Sequence, residues 1–141
     1  MARLTNVKVA GTPVPRPCEA VLEVSGAADA DGRPHGKAYP PRVVIVRDAT
    51  EEGLAVGFES AANGDGAFNY VDAEFTVLDA GRQPAYRVEV HRAFTSGWRL
   101  HKPADRGKRM VEVIELCGGK VTLHAGGRPV TYDVGPFGAG R

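Results

Sequence analysis

Three adjoining stretches decide the fold: Val71-Asp72-Ala73-Glu74-Phe75-Thr76-Val77, then Asp79-Ala80-Gly81-Arg82-Gln83, then Tyr86-Arg87-Val88-Glu89-Val90-His91. In the first, Val71, Ala73, Phe75 and Val77 alternate with Asp72, Glu74 and Thr76. In the third, Tyr86, Val88 and Val90 alternate with Arg87, Glu89 and His91. A period of two puts one set on a buried sheet face and the other toward water, and the Asp- and Gly-bearing stretch between them turns the chain, so a β-hairpin is predicted.

Working outward, short β-branched runs recur between glycines and prolines, the pattern of an all-β barrel or sandwich. Upstream lie the runs Asn6 to Ala10 and Cys18 to Ser25. Between them Gly11 to Pro17 carries three prolines, which cannot donate to a central ladder, and is read as a turn plus an edge segment. Val43-Val44-Ile45-Val46 reads as a strand buried on both faces. After it, Asp48-Ala49-Thr50-Glu51 has capping-box spacing and Leu54, Phe58, Ala61 and Ala62 share one helical face, predicting one short α-helix that Gly64 ends. Gly53 and Gly57 weaken that helix by ~1 kcal/mol each. Downstream, Thr95-Ser96-Gly97-Trp98 breaks the alternation, with Trp98 anchoring a connection and Lys102 to Lys108 forming a charged loop. The segment Arg109 to Leu116 matches both helical and strand spacing. Val111, Val113 and Ile114, followed by Gly118-Gly119, favour a strand. Val121 to Leu123 and Val130 to Val134, joined through Ala125 to Pro129, close a terminal meander.

The chain has 141 residues, enough for one domain over its whole length with a core that needs no metal or disulfide staple. Its 43% hydrophobic and 25% charged content is ordinary for a globular domain. A formal charge of +1 supplies no long-range field for nucleic acid or an anionic membrane, so neither is expected as a partner. Cys18 and Cys117 form no C-x-x-C pair and are expected as free, buried thiols. The stretch from Met1 to Val9 lacks the apolar run of a secretory signal, and no run approaches a membrane span, so a cytoplasmic protein, exported by other means if at all, is expected.

Chemistry-bearing motifs are sparse. His35, His91, His101 and His124 show no metal-ligand spacing. The stretch Ala27-x-Asp29-x-Asp31-Gly32 lacks the first and the bidentate ligand of a calcium loop, which fall on Ala27 and Ala38. No phosphate-cradling glycine motif or nucleophile elbow occurs. Glu112 and Glu115 are read as a solvated or interfacial face before an acid/base pair. No cofactor, metal or catalytic residue is assigned. A hydrolase or lyase would need a cleft gathering His101 or His124 with a carboxylate. The long segment Gly26 to Pro41 has no apolar period and is a candidate partner surface.

The order of these elements, with Leu22-x-Val24, Asp29-Ala30-Asp31-Gly32-Arg33-Pro34-His35-Gly36-Lys37 and the strand from Val43 to Val46, resembles the haemolysin-coregulated protein (Hcp) family. These are the tube subunits of type VI secretion and related extracellular contractile injection systems. The loop matches a D-x-x-G-R-P pattern. Gly66-Ala67-Phe68 through Phe94 is similar to that family's glycine-led hairpin, and Arg109 to Leu116 to its late strand. The two helix glycines depart from the family, and Gly135 to Arg141 has no counterpart in it.

The resemblance implies a mainly β fold, an Hcp-like β-barrel of two sheets with one short α-helix, stacked as hexameric rings into a tube. Its partners would be further copies, sheath and baseplate or spike proteins, and effector cargo, and its role would be structural, not enzymatic. Asp29, Asp31, Gly32, Arg33, Pro34, His35 and Lys37 then form a ring-stacking loop. Arg87, Glu89 and His91 face either a wet lumen or a neighbouring subunit. The competing reading is a stand-alone small-ligand-binding β-barrel, whose closed sheet surrounds an apolar cavity.

Overall fold

A computed structural model describes residues 3–26, 30–33, 39–49 and 70–133. These form nine antiparallel strands: β1 (Arg3–Val9), β2 (Thr12–Pro13), β3 (Pro17–Glu23), β4 (Arg42–Asp48), β5 (Tyr70–Leu78), β6 (Pro84–His101), β7 (Val111–Cys117), β8 (Lys120–Ala125) and β9 (Arg128–Asp133). Neighbours run β2-β1-β5-β6-β7-β4-β3, with β8 on β6 and β9 on β8. The fold is mainly β, as the sequence pattern requires. Of the predicted helix, residues 50–62 lie outside the described residues, and Asp48 is the last residue of β4.

The organising element is a long ribbon. β6 pairs along one edge first with β8 (Val88↔Leu123, His91↔Lys120) and then with β7 (Phe94↔Cys117, His101↔Val111). β7 and β8 therefore follow one another along β6, separated only by Gly118-Gly119. The expected terminal meander is corrected accordingly: β8 and β9 form a hairpin, but β7 and β8 share β6 as partner and do not pair with each other.

At this junction the ribbon changes direction. Arg92 takes a left-handed backbone (φ 58°), and its amide donates to Asp72 Oδ1 at 2.9 Å while its guanidinium lies over the Tyr70 ring. Opposite it Gly119 has φ +82°, and a Cβ there would sit 2.4 Å from the His91 carbonyl oxygen, so only glycine lets the strands approach this closely. One half of the ribbon carries β5, β1 and β2 on one side and β9 on the other. The second half carries β4 and β3.

Inward residues of both halves meet in one core: Val7, Val9, Ala73, Phe75, Val88, Val90 and Val121 from the first, Val43, Ile45, Ile114 and Leu116 from the second. The alternation that predicted the hairpin holds for Val71, Ala73 and Phe75 against exposed Asp72, with Asp79 Oδ1 accepting from the Gly81 and Gln83 amides to fix the turn. Tyr86 lies beyond the core and is exposed.

Three expectations need correction here. Thr95 to Trp98 does not end β6: the inward set runs Val88, Val90, Ala93, Thr95, because the extra residue at Arg92 shifts the phase, and a second register shift lies between Thr95 and Gly97. Val43 to Val46 is buried on one face and half-buried on the other. The thiols of Cys18 and Cys117 are free, but Cys18 is exposed at a register shift of β3, and Cys117 is only half-buried.

Candidate assembly surfaces

The outward face of the first half is polar from β1 to β9. Register places Glu74 opposite both Lys8 and Glu89, and Arg87 opposite His124. Alternation exposes these side chains because their neighbours fill the core. His124 Nε2 lies 2.8 Å from Glu89 Oε1, Arg87 Nη2 lies 3.4 Å from Glu89 Oε2 and 3.7 Å from Glu74 Oε2, and Lys8 Nζ lies 4.0 Å from Glu74 Oε1. The hydrogen bond with His124 holds the Glu89 carboxyl below the usual carboxylate range, helped by Arg87 and opposed by partial burial. His91 Nδ1 is 3.8 Å from Asp72 Oδ2, and Thr122 and Thr131 bond across β8 and β9. A groove of about 250 Å³ runs between Lys8, Asp72, Glu74, Glu89 and His91. Arg87, Glu89 and His91, singled out from sequence, thus belong to one face, to which the fold adds Lys8, Asp72, Glu74 and His124.

The second half holds a different arrangement. Arg47 of β4 and Glu112 of β7 are direct cross-strand partners on the inward face, and Arg47 Nε donates to Glu112 Oε1 at 2.6 Å with both side chains 2% exposed. The Trp98 indole N–H donates to the other carboxylate oxygen, and Arg47 Nη1 reaches the Asp48 carbonyl. A carboxylate with two donors and a guanidinium with two acceptors satisfies the requirement that buried charge be paired. Glu115 points the opposite way and accepts from Arg42 Nε at 2.9 Å, with Glu23 3.8 Å from the same guanidinium. The Arg42 hydrogen bond keeps the Glu115 carboxyl below its ordinary range.

Glu112 and Glu115 therefore lie on opposite faces and form no acid/base pair. Glu112 is also not the solvated residue the sequence suggested. The missed signal was phase: Arg47 shares parity with Val43 and Ile45, and Glu112 with Ile114 and Leu116. Trp98 is partly buried against the core, but as a residue of β6 paired with Ile114 and not as the anchor of a connection.

Of the predicted stacking loop, Asp31, Gly32 and Arg33 are described and exposed, with Gly32 in the left-handed turn conformation (φ +79°). Asp29, Pro34, His35 and Lys37 lie outside the described residues. The loop's base is closed where the Tyr39 amide donates to the Ser25 carbonyl, and Gly118 donates to Pro41 at the neighbouring ribbon junction. Tyr39 is 58% exposed. His101 and His124 fall at opposite ends of β6, so they do not converge. Among the described residues no group of three or more His, Cys, Asp or Glu is placed to hold a metal, and no helix is long and apolar enough to cross a membrane. Among the described residues, the side chains buried between the two halves include the core residues and the Arg47–Glu112 pair.

This architecture is an Hcp-like β fold. Hcp1 from Flavobacterium johnsoniae superposes with a TM-score of 0.69 at 16% identity, covering 89% of this chain and 97% of that one. Hcp1 from the E. coli EAEC 042 pathovar gives 0.64 at 12% identity, covering 83% and 78%. A chain of the PVC sheath–tube complex, an extracellular contractile injection system in its extended state, gives 0.57 at 13% identity, covering 84% and 86%. No protein-family model matches the sequence, and no curated protein matches it. The likeness is one of fold, at 12–16% sequence identity.

Proposed function

We propose that the chain is a structural subunit of the inner tube of a contractile injection machine, of type VI or extracellular kind. In this reading it assembles in the cytoplasm into stacked hexameric rings that carry effectors, and it leaves the cell through the machine itself. The observation that carries the reading is the fold likeness to Hcp1 over 97% of that protein's length. What this chain exposes is consistent with it. A heterologous interface closes into a ring when its rotation closes, and an open strand edge is a ready template for one. Among the described residues β9 pairs only with β8 and exposes Val130.

The face of Lys8, Glu74, Arg87, Glu89, His91 and His124 is assigned to the lumen, because its charges already neutralise one another across strands and it carries no large apolar side chain to bury against a neighbour. The loop from Gly26 to Pro41 bridges one ring to the next, and sheath and baseplate proteins surround and cap the tube. Negative-stain imaging of the purified chain tests this: rings with a central hole, or stacks of them, support it, and featureless small particles at every concentration refute it.

A further inference from the structure

We propose that the polar face of β1, β5, β6, β8 and β9 makes assembly pH-sensitive. His91 and His124 turn it from balanced to cationic under mildly acidic conditions, and repulsion between copies then loosens the ring. The proposal rests on the assignment of this face to the lumen, where copies of it are brought together.

Strand register sets the balance. Lys8 stands opposite Glu74, Glu74 opposite Glu89, Arg87 opposite His124, His91 opposite Lys120, and Lys120 opposite Asp133. Alternation about these pairs puts four cations, Arg3, Lys8, Arg87 and Lys120, on one face with four anions, Asp72, Glu74, Glu89 and Asp133. With both histidines neutral these charges cancel, and with both protonated the face gains two positive charges. Arg92, in the bulge beside His91 and over the Tyr70 ring, shifts the baseline but not that gain.

Both imidazoles reach solvent. The His124 side chain is 34% exposed, with Nε2 2.8 Å from Glu89 Oε1. It faces Arg87 from β6 and Pro129 and Thr131 from β9. The His91 side chain is 49% exposed, with Nδ1 3.8 Å from Asp72 Oδ2 of β5. It faces Lys120 of β8 and shares the groove with Lys8, Glu74 and Glu89. Histidine side chains ordinarily titrate between pH 5 and 8 and carboxylates lower. The His124 hydrogen bond keeps Glu89 ionised through that window. A protonated His124 neutralises Glu89, which leaves Lys8 and Arg87 to share Glu74. Around a channel the added charges of all copies face one another and repel. His101, at the far end of β6, takes no part.

Sedimentation velocity over a concentration series gives the concentration at half-assembly, compared at pH 7.5 and 5.5 in about 20 mM salt, where charges act over about 20 Å. Wild type is expected to need about threefold more protein at pH 5.5, and in about 1 M salt the two values converge. His101→Gln is expected to keep the threefold ratio. His91→Gln/His124→Gln, measured against its own pH 7.5 value, is expected to give a ratio near one. If that double variant does not assemble, His91→Gln and His124→Gln singly each retain about half of the effect. A wild type that assembles equally well at both pH values at low salt overturns this inference alone, as does an unchanged ratio in the histidine variants. A wild type that assembles at neither pH overturns the tube reading and this inference together.

Discussion

Glu112→Ala isolates the buried charge pair of Arg47 and Glu112, the pair with both side chains 2% exposed among the described residues. The substitution removes the carboxylate that accepts from Arg47 at 2.6 Å and from the Trp98 indole, and leaves the guanidinium in an interior where both partners are 2% exposed. Deleting one member of such a pair costs about 3–5 kcal/mol, because the remaining charge keeps its desolvation penalty. Against a typical domain stability of about 5–15 kcal/mol this is a large share. With a urea dependence of about 2 kcal/mol/M, the midpoint falls by about 2 M. Arg47→Met/Glu112→Leu removes both charges at similar volume and is expected to lie within about 1 kcal/mol of wild type. Urea unfolding followed by far-UV circular dichroism reads both, with the fluorescence of Trp98, the only tryptophan, as a second probe. Because the indole loses its acceptor in each variant, a Trp98→Phe background separates its contribution of about 1 kcal/mol. A single variant losing less than about 1 kcal/mol, or a double variant as damaged as the summed singles, refutes the reasoning.

Three further outcomes are expected. Gly119→Ala puts a methyl group 2.4 Å from the His91 carbonyl at φ +82°, so it destabilises by about 2 kcal/mol or more, measured by thermal melting, whereas Gly126→Ala, with open space around it, loses less. Glu89 and Glu115 have folded-state pKa values depressed by His124 and Arg42, so their contribution is present above about pH 4.5 and is lost as pH falls through the lowered folded values. Urea midpoints at neutral pH and about pH 3 are expected to differ less in Glu89→Gln/Glu115→Gln than in wild type, by a small amount because both groups are partly solvated. Deleting residues 29–36, or reversing charge with Arg33→Glu, is expected to leave the dichroism spectrum unchanged and to abolish higher-order assembly in sedimentation velocity, since Asp31, Gly32 and Arg33 are exposed and outside the core. Loss of the folded chain would contradict that assignment.

Residues whose environment follows a uniform period were readable in advance. Val71, Ala73, Phe75, Val88 and Val90 announce their sheet face by alternation, and Asp79 and Gly81 announce the turn. The long β6 was not readable as one strand, because Arg92 in a left-handed bulge and the register shift before Gly97 each change the phase, and Thr95-Ser96-Gly97 mimics a loop in composition. Arg47 and Glu112 escaped notice for a different reason: charge was read as exposure, although their parity with Ile45 and Ile114 placed them inward. The polar face was only partly legible. Arg87, Glu89 and His91 follow from the hairpin phase, but their meeting with Lys8 and His124 depends on pairings between strands distant in sequence.

Native mass by multi-angle light scattering across a wide concentration range tests the tube reading most directly. A ring of six predicts about 90 kDa from the 15.0 kDa chain, with larger stacks appearing as concentration rises. A constant mass near that of one chain would contradict it.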